Sequence, residues 1–140
     1  MYNLYMNNLI NNAKNYYNRK QEQKNLENNF KTKHPFEKRL EESTRIIEKY
    51  PQRIPVICER VSIDIPEIDR KKFLCPDDLS LANFMYVIRK RIKLAPEKSI
   101  YLFVNGKLIN NSKLLCQIYE TEKDKDGFLY IQYASESTFG

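Results

Sequence analysis

Strand-like and helix-like segments alternate over residues 53–133, and helical periodicity precedes them; together these predict an α+β fold. Three observations carry the prediction. Short β-branched and aromatic runs at Arg53–Val61, Lys71–Cys75, Ile100–Val104 and Phe128–Tyr133 read as strands. A stripe of Leu81, Phe84, Met85, Ile88 and Ile92 recurs at helical spacing between Ser80 and Ile92. The dipeptides Asn105-Gly106 and Asp126-Gly127 punctuate the series where tight turns are needed.

Residues 1–31 are asparagine-rich, yet Tyr2, Tyr5, Met6, Leu9, Ile10, Ala13, Tyr16 and Tyr17 keep helical spacing. One reading is an amphipathic helix that touches a membrane or a partner, its basic residues favouring anionic lipid. The plainer one, favoured because asparagine is a poor helix former, is a half-ordered extension or a helix packed on its own body. After Pro35, which suits a first helical turn, Phe36, Leu40, Ile46 and Ile47 mark one side of a helix that Tyr50-Pro51 ends. In the Arg53–Val61 strand, Pro55 lacks an N–H and must sit near the strand start or on an unpaired side. Ser62–Asp69 is a loop, and Lys71–Cys75 returns as a hairpin strand. Ser80 is a helix N-cap and Pro96 prevents continuation past Ile92. Ile100–Val104 is apolar throughout, as in a fully buried central strand, and a short helix around Lys113–Tyr119 precedes the last strand.

Strand–strand–helix–strand–helix–strand in about 80 residues is the order of the ubiquitin-like β-grasp, here with extra N-terminal helices. The organisation expected is an extension over 1–32, a ubiquitin-like domain over 33–133 and a flexible tail over 134–140. Extended, the seven tail residues reach roughly 23–25 Å. The tail ends on Gly140, whose carboxylate carries no side-chain bulk and fits a narrow enzyme cleft.

The net charge is +6, but residues 1–33 hold six basic and two acidic residues, leaving a nearly neutral body. That argues against a nucleic-acid surface, and no stacking motif supports one. No run of about 18 apolar residues predicts a membrane-spanning helix, and no secretory signal pattern opens the chain. Cys58, Cys75 and Cys116 are odd in number and widely spaced, so they read as buried small hydrophobes in a reducing setting. Catalytic patterns are missing: His34 is the only histidine, and no nucleophile elbow, P-loop, zinc-protease or dinucleotide motif occurs. Neither cofactor nor metal is expected, and Glu120–Asp126, interleaved with lysines, reads as a solvated loop. The chain reads as no enzyme.

His34-Pro-Phe-Glu-Lys-Arg39, Arg53-Ile-Pro-Val-Ile-Cys-Glu59, Ile65-Pro-Glu-Ile-Asp69, Lys72-Phe-Leu-Cys-Pro76 and Tyr86-Val-Ile-Arg-Lys-Arg-Ile92 resemble the GABARAP-type autophagy modifiers. So do Asp124-Lys-Asp-Gly-Phe-Leu-Tyr130 and Thr138-Phe-Gly140, and the likeness is collinear from about Lys33 onward. The resemblance implies that Gly140 is activated by a ubiquitin-activating-type enzyme, passed through a conjugating-type enzyme and joined to phosphatidylethanolamine. It implies release by a deconjugating cysteine protease that reads Phe139. It also implies a protein that is cytoplasmic when free and at autophagosomal or vacuolar membranes when lipidated.

The same resemblance implies a groove for receptors bearing aromatic-x-x-aliphatic motifs, which add a strand at the Lys71–Cys75 edge through Lys72 and Leu74. Its aromatic pocket would use Glu42, Ile46, Pro55, Ile57, Lys72, Leu74 and Phe128. Its aliphatic pocket would use Phe73, Cys75, Pro76, Leu79, Phe84 and Val87. Arg53, Arg70 and Lys72, with Arg91 in addition, would attract acidic residues flanking the motif. Cys75 stands where the family more often has a branched aliphatic, and the extension has no clear counterpart. A non-conjugated trafficking or cytoskeletal adaptor on the same fold is the alternative; it would be indifferent to Gly140→Ala.

Overall fold

The computed structural model describes residues 2–135, without the side chains of residues 2, 21–22 and 25–27. The expectations for Phe139 and Gly140 lie outside the described residues. In chain order come α1 (Tyr2–Glu27), α2 (Phe30–Lys33), α3 (Phe36–Lys49), β1 (Arg53–Arg60), β2 (Lys72–Pro76) and α4 (Leu81–Arg91). They are followed by β3 (Tyr101–Val104), β4 (Lys107–Leu108), α5 (Leu115–Glu122) and β5 (Leu129–Ala134).

The strands form one sheet in the order β2-β1-β5-β3-β4, with β1 and β5 parallel and the other neighbours antiparallel. The centre is therefore β5, not the Ile100–Val104 segment. That segment is buried as β3, but its outer neighbour is only the two-residue β4. Asn105 and Gly106 both have positive φ, 52° and 72°, which lets a two-residue turn match the twist of the strands it joins.

β1 is buried continuously from Ile54 to Cys58 because both its faces are covered. On one face Val56 and Cys58 join Leu81, Phe84 and Ile88 of α4, Leu115 and Ile118 of α5, and Leu129, Ile131 and Tyr133 of β5. On the other, Ile57 joins Phe30 and Phe128, with Ile46 and Tyr130 packed against them. Phe30, expected in the extension, is thus part of a domain core. α4 begins as expected, the Ser80 hydroxyl accepting the Asn83 N–H at 3.1 Å.

Three expectations are corrected. α1 is one continuous helix, and every side chain from Asn3 to Lys20 is exposed, so it is not packed on the body. Helix formation carries its nucleation cost once, and a helix of 26 residues spreads that cost over many backbone hydrogen bonds. On α3, Phe36, Leu40 and Ile47 stay over a third exposed; contact with the sheet runs instead through Arg39, Ser43 and Ile46. Asp126 is not solvated but fully buried. Its carboxylate accepts from Arg39 and Tyr130 and from the Phe128 N–H, and its carbonyl accepts from Ser43.

Candidate peptide-binding groove

β2 is an edge strand, and its register on β1 decides which backbone groups remain free. Pro55 faces Leu74 and Arg53 faces Pro76. Neither proline has an N–H to give, so both are non-hydrogen-bonded pairs, and Ile57 facing Lys72 shares their phase. The exchanging pairs are then Ile54 with Cys75 and Val56 with Phe73, in phase with the Cys58 N–H donating to the Lys71 carbonyl at 2.8 Å. The N–H and C=O of Lys72 and Leu74 consequently point to the open side. Pro55 is tolerated because its nitrogen faces β5 just before that pairing begins at Val56 and Leu129.

Side chains alternate across this edge. Lys72 and Leu74 are exposed on the α3 side, where Lys72 Nζ lies 2.7 Å from Glu42 Oε1. Behind them Ile46 is half-buried, Pro55 is buried, and Ile57 and Phe128 are 0% and 1% exposed. What covers the last two is Phe30, a residue that sequence reasoning missed. Its ring meets Phe128 edge-on at 5.3 Å, and Lys72 Nζ sits 5.4 Å from its centre. Asn29 caps α2 through the Thr32 N–H, and the Phe30 N–H donates to Glu59 Oε2 at 2.8 Å. Lys71 ties the same carboxylate, at 3.1 Å, to the Asn28 carbonyl, at 2.7 Å. The available signal was an Asn cap followed at once by an aromatic.

On the α4 side, Phe73 meets Phe84 edge-to-face at 5.5 Å. Phe84 and Cys75 are buried, leaving the half-buried Phe73 and Leu79 with the exposed Val87 and Pro76 as accessible apolar surface. Burial pushes the Cys75 thiol up to about 12 against the opposing pull of Arg53, and burial likewise raises Cys58. Cys116 is only half-buried, contrary to expectation. Arg53 and Arg70 are exposed, and Arg91 lies over the Phe73 ring at 5.5 Å while reaching Asp69 at 3.4 Å. Cations therefore flank an unpaired strand edge with an apolar site on either side. No cluster of potential metal ligands occurs among the described residues.

The root of the tail is fixed from the other end of β1. The Ser135 N–H donates to Ser62 Oγ at 3.0 Å, and the Ser135 hydroxyl contacts both Asp64 oxygens at 2.6–2.7 Å. That hydroxyl holds the Asp64 carboxyl below its ordinary range against the effect of burial.

A sequence model described as "Autophagy protein Atg8 ubiquitin like" matches residues 38–140, most of the chain. The chain belongs to the Atg8 family. Autophagy-related protein 8 of Candida glabrata is 54% identical over 116 residues, spanning 82% of this chain and 98% of that protein. Its counterpart in Mycosarcoma maydis is 58% identical over 112 residues, 79% of this chain and 95% of that one. Among solved structures, Plasmodium falciparum Atg8 in complex with a Plasmodium falciparum Atg3 peptide superposes with a TM-score of 0.73 at 38% identity. It covers 78% of this chain and 97% of its own. Trypanosoma brucei ATG8 gives the same TM-score at 42% identity, over 79% and 97%. The likeness to GABARAP-type modifiers and the ubiquitin-like α+β fold read from the residues are both borne out. The Atg8 match begins at residue 38, so α1 lies wholly outside it.

Proposed function

We propose that this Atg8-family chain is a modifier, not a catalyst, joined through the Gly140 carboxylate to phosphatidylethanolamine on autophagosomal membranes. A ubiquitin-activating-type enzyme adenylates the carboxylate with ATP, releasing pyrophosphate, and an enzyme cysteine then displaces AMP to form a thioester that passes to the conjugating enzyme's cysteine. The lipid amine then attacks the thioester carbonyl, an amide forms and the thiolate leaves. The enzyme nucleophiles are the partners' cysteines, and a cysteine protease that recognises Phe139 undoes the conjugate by hydrolysing the amide to the free carboxylate and the lipid amine. The Atg8 match running through to residue 140 supports this assignment. So does the anchored root at Ser135, which leaves five residues, about 18 Å at most, to enter a cleft while the body stays outside.

The observation that carries the recruiting role is the open β2 edge. An extended receptor peptide pairs with the outward N–H and C=O of Lys72 and Leu74. Its aromatic residue seats among Glu42, Ile46, Pro55, Lys72 and Leu74, with Phe30 lying over Ile57 and Phe128. Its aliphatic residue seats against Phe73, Leu79, Val87 and Pro76, over the buried Cys75 and Phe84, and Arg53, Arg70 and Arg91 draw flanking acids. The Plasmodium relative in complex with an Atg3 peptide supports docking of the conjugating enzyme through a peptide as well. No helix among the described residues is long and apolar enough to cross a membrane.

The test is titration of an acidic aromatic-x-x-aliphatic peptide into the wild type and Leu74→Pro. Proline there removes one outward N–H without touching a bond to β1. Binding should weaken at least about tenfold with the fold retained. Equal affinity at an intact circular-dichroism spectrum places the peptide elsewhere.

A further inference from the structure

We propose that α1 is an interfacial anchor that binds the surface of an anionic lipid bilayer, whether or not Gly140 is conjugated. Tyr5, Met6, Leu9, Ile10, Tyr16 and Tyr17 share one side of the helix at 100° per residue, within an arc of about 140°. All six are exposed, from Met6 at 38% to Tyr5 at 63%, so the body of the protein covers none of them. The opposite side is mostly asparagine, uncharged and unsuited to seating on a partner's apolar surface.

Charge selects the occupant. The first twenty-one residues contain Lys14, Arg19 and Lys20 and no acid; the helix's acids begin at Glu22. Lys20 and Lys24 continue the direction of the apolar stripe, and Lys20 Nζ lies 5.5 Å from the centre of the Tyr16 ring. A face that is apolar with tyrosines and then basic matches a headgroup layer, where amphipathic rings and cations both settle. A second copy fits poorly. The heptad through this stripe puts Ala13, Tyr16 and Lys20 at successive seam positions, with no repeating branched aliphatics, and parallel pairing would oppose the two Lys20.

The fold places this helix where a bilayer can meet it together with the tail. α1 leads into Asn28, held by Lys71, and Phe30, held by Glu59. The tail leaves from Ser135, held by Ser62, three residues beyond Glu59 on the same chain segment. The residues that hold the two roots, Glu59 and Ser62, therefore sit at one end of β1, within about 11 Å of each other along the backbone.

The experiment is flotation of the full chain carrying Gly140→Ala, so that no conjugate forms, with phosphatidylcholine vesicles with or without 30 mol% phosphatidylserine. Leu9→Glu/Ile10→Glu in the same background breaks the stripe. The unmutated helix should float with the phosphatidylserine vesicles, lose binding as salt rises, and bind at least about tenfold better than the double variant. A Tyr16→Trp reporter should shift to the blue on the same vesicles. No flotation, or flotation equal for the double variant, overturns the proposal. A concentration-dependent dimer in sedimentation, abolished by the double variant and without vesicle binding, overturns it in favour of self-association. Failure here leaves conjugation at Gly140 untouched, because no conjugating enzyme is present.

Discussion

The Phe30 ring stands edge-on to Phe128 at 5.3 Å and is itself only 4% exposed. A residue from the N-terminal segment thereby completes the core behind the sheet on its α3 side, covering two side chains that resemblance assigns to a pocket.

Phe30→Ala removes that cover. Loss of a buried aromatic in a small cluster should lower unfolding free energy by about 2–4 kcal/mol in urea titration. A change below about 0.5 kcal/mol would mean that α2 contributes nothing to the folded body.

Asp126 holds α3 to the turn before β5. Replacing it by Ala strands the Arg39 guanidinium, whose side chain is only 11% exposed, and frees the Phe128 N–H. The expected cost is about 3 kcal/mol. A double-mutant cycle with Arg39→Ala should show strong coupling, and additivity would contradict the pairing.

Gly127 has φ +89°, and a Cβ there would collide with Ser43 Oγ. Gly127→Ala should cost about 2–4 kcal/mol, combining backbone strain with the clash. Adding Ser43→Gly relieves the clash but leaves the backbone strain and removes the Ser43 bond to the Asp126 carbonyl, so part of the loss should remain.

Alkaline pH should destabilise the fold. Burial raises Cys75 to about 12 and also raises Cys58, Tyr130 and Tyr133 above their ordinary values. Each group keeps its proton longer in the folded state, so its contribution is complete below the unfolded value and lost as pH climbs through the folded one. For Cys75 that window runs from about 9 to about 12. Thermal midpoints should fall across it, and a thiol reagent at pH 8 should modify Cys116 before Cys58 or Cys75. Prompt reaction of Cys75 would contradict its burial.

Much of this architecture was legible because period and punctuation agree locally. Ser80, the α4 stripe and Asn105-Gly106 each announce an element through their own chemistry. The strand order was not legible: the parallel contact of β1 with β5 joins segments some seventy residues apart, and nothing in Ile100–Val104 says that its neighbour is only two residues long. Asp126 looked solvated because its partners, Arg39 and Ser43, come from a distant helix. The groove's edge came from the resemblance alone; that Lys72 and Leu74 face outward follows from the register of β2 on β1, in which Pro55 and Pro76 fix the bonding phase. Phe30 was not, since burial by a single short helix leaves no periodic trace.

The central claim is that Gly140 is the acyl donor of a membrane modifier. The direct measurement is mass spectrometry after incubation with activating and conjugating enzymes, ATP and phosphatidylethanolamine vesicles, comparing wild type with Gly140→Ala. A phosphatidylethanolamine adduct on wild type alone is the predicted result. Its absence, under conditions that conjugate another Atg8-family protein, would contradict the claim.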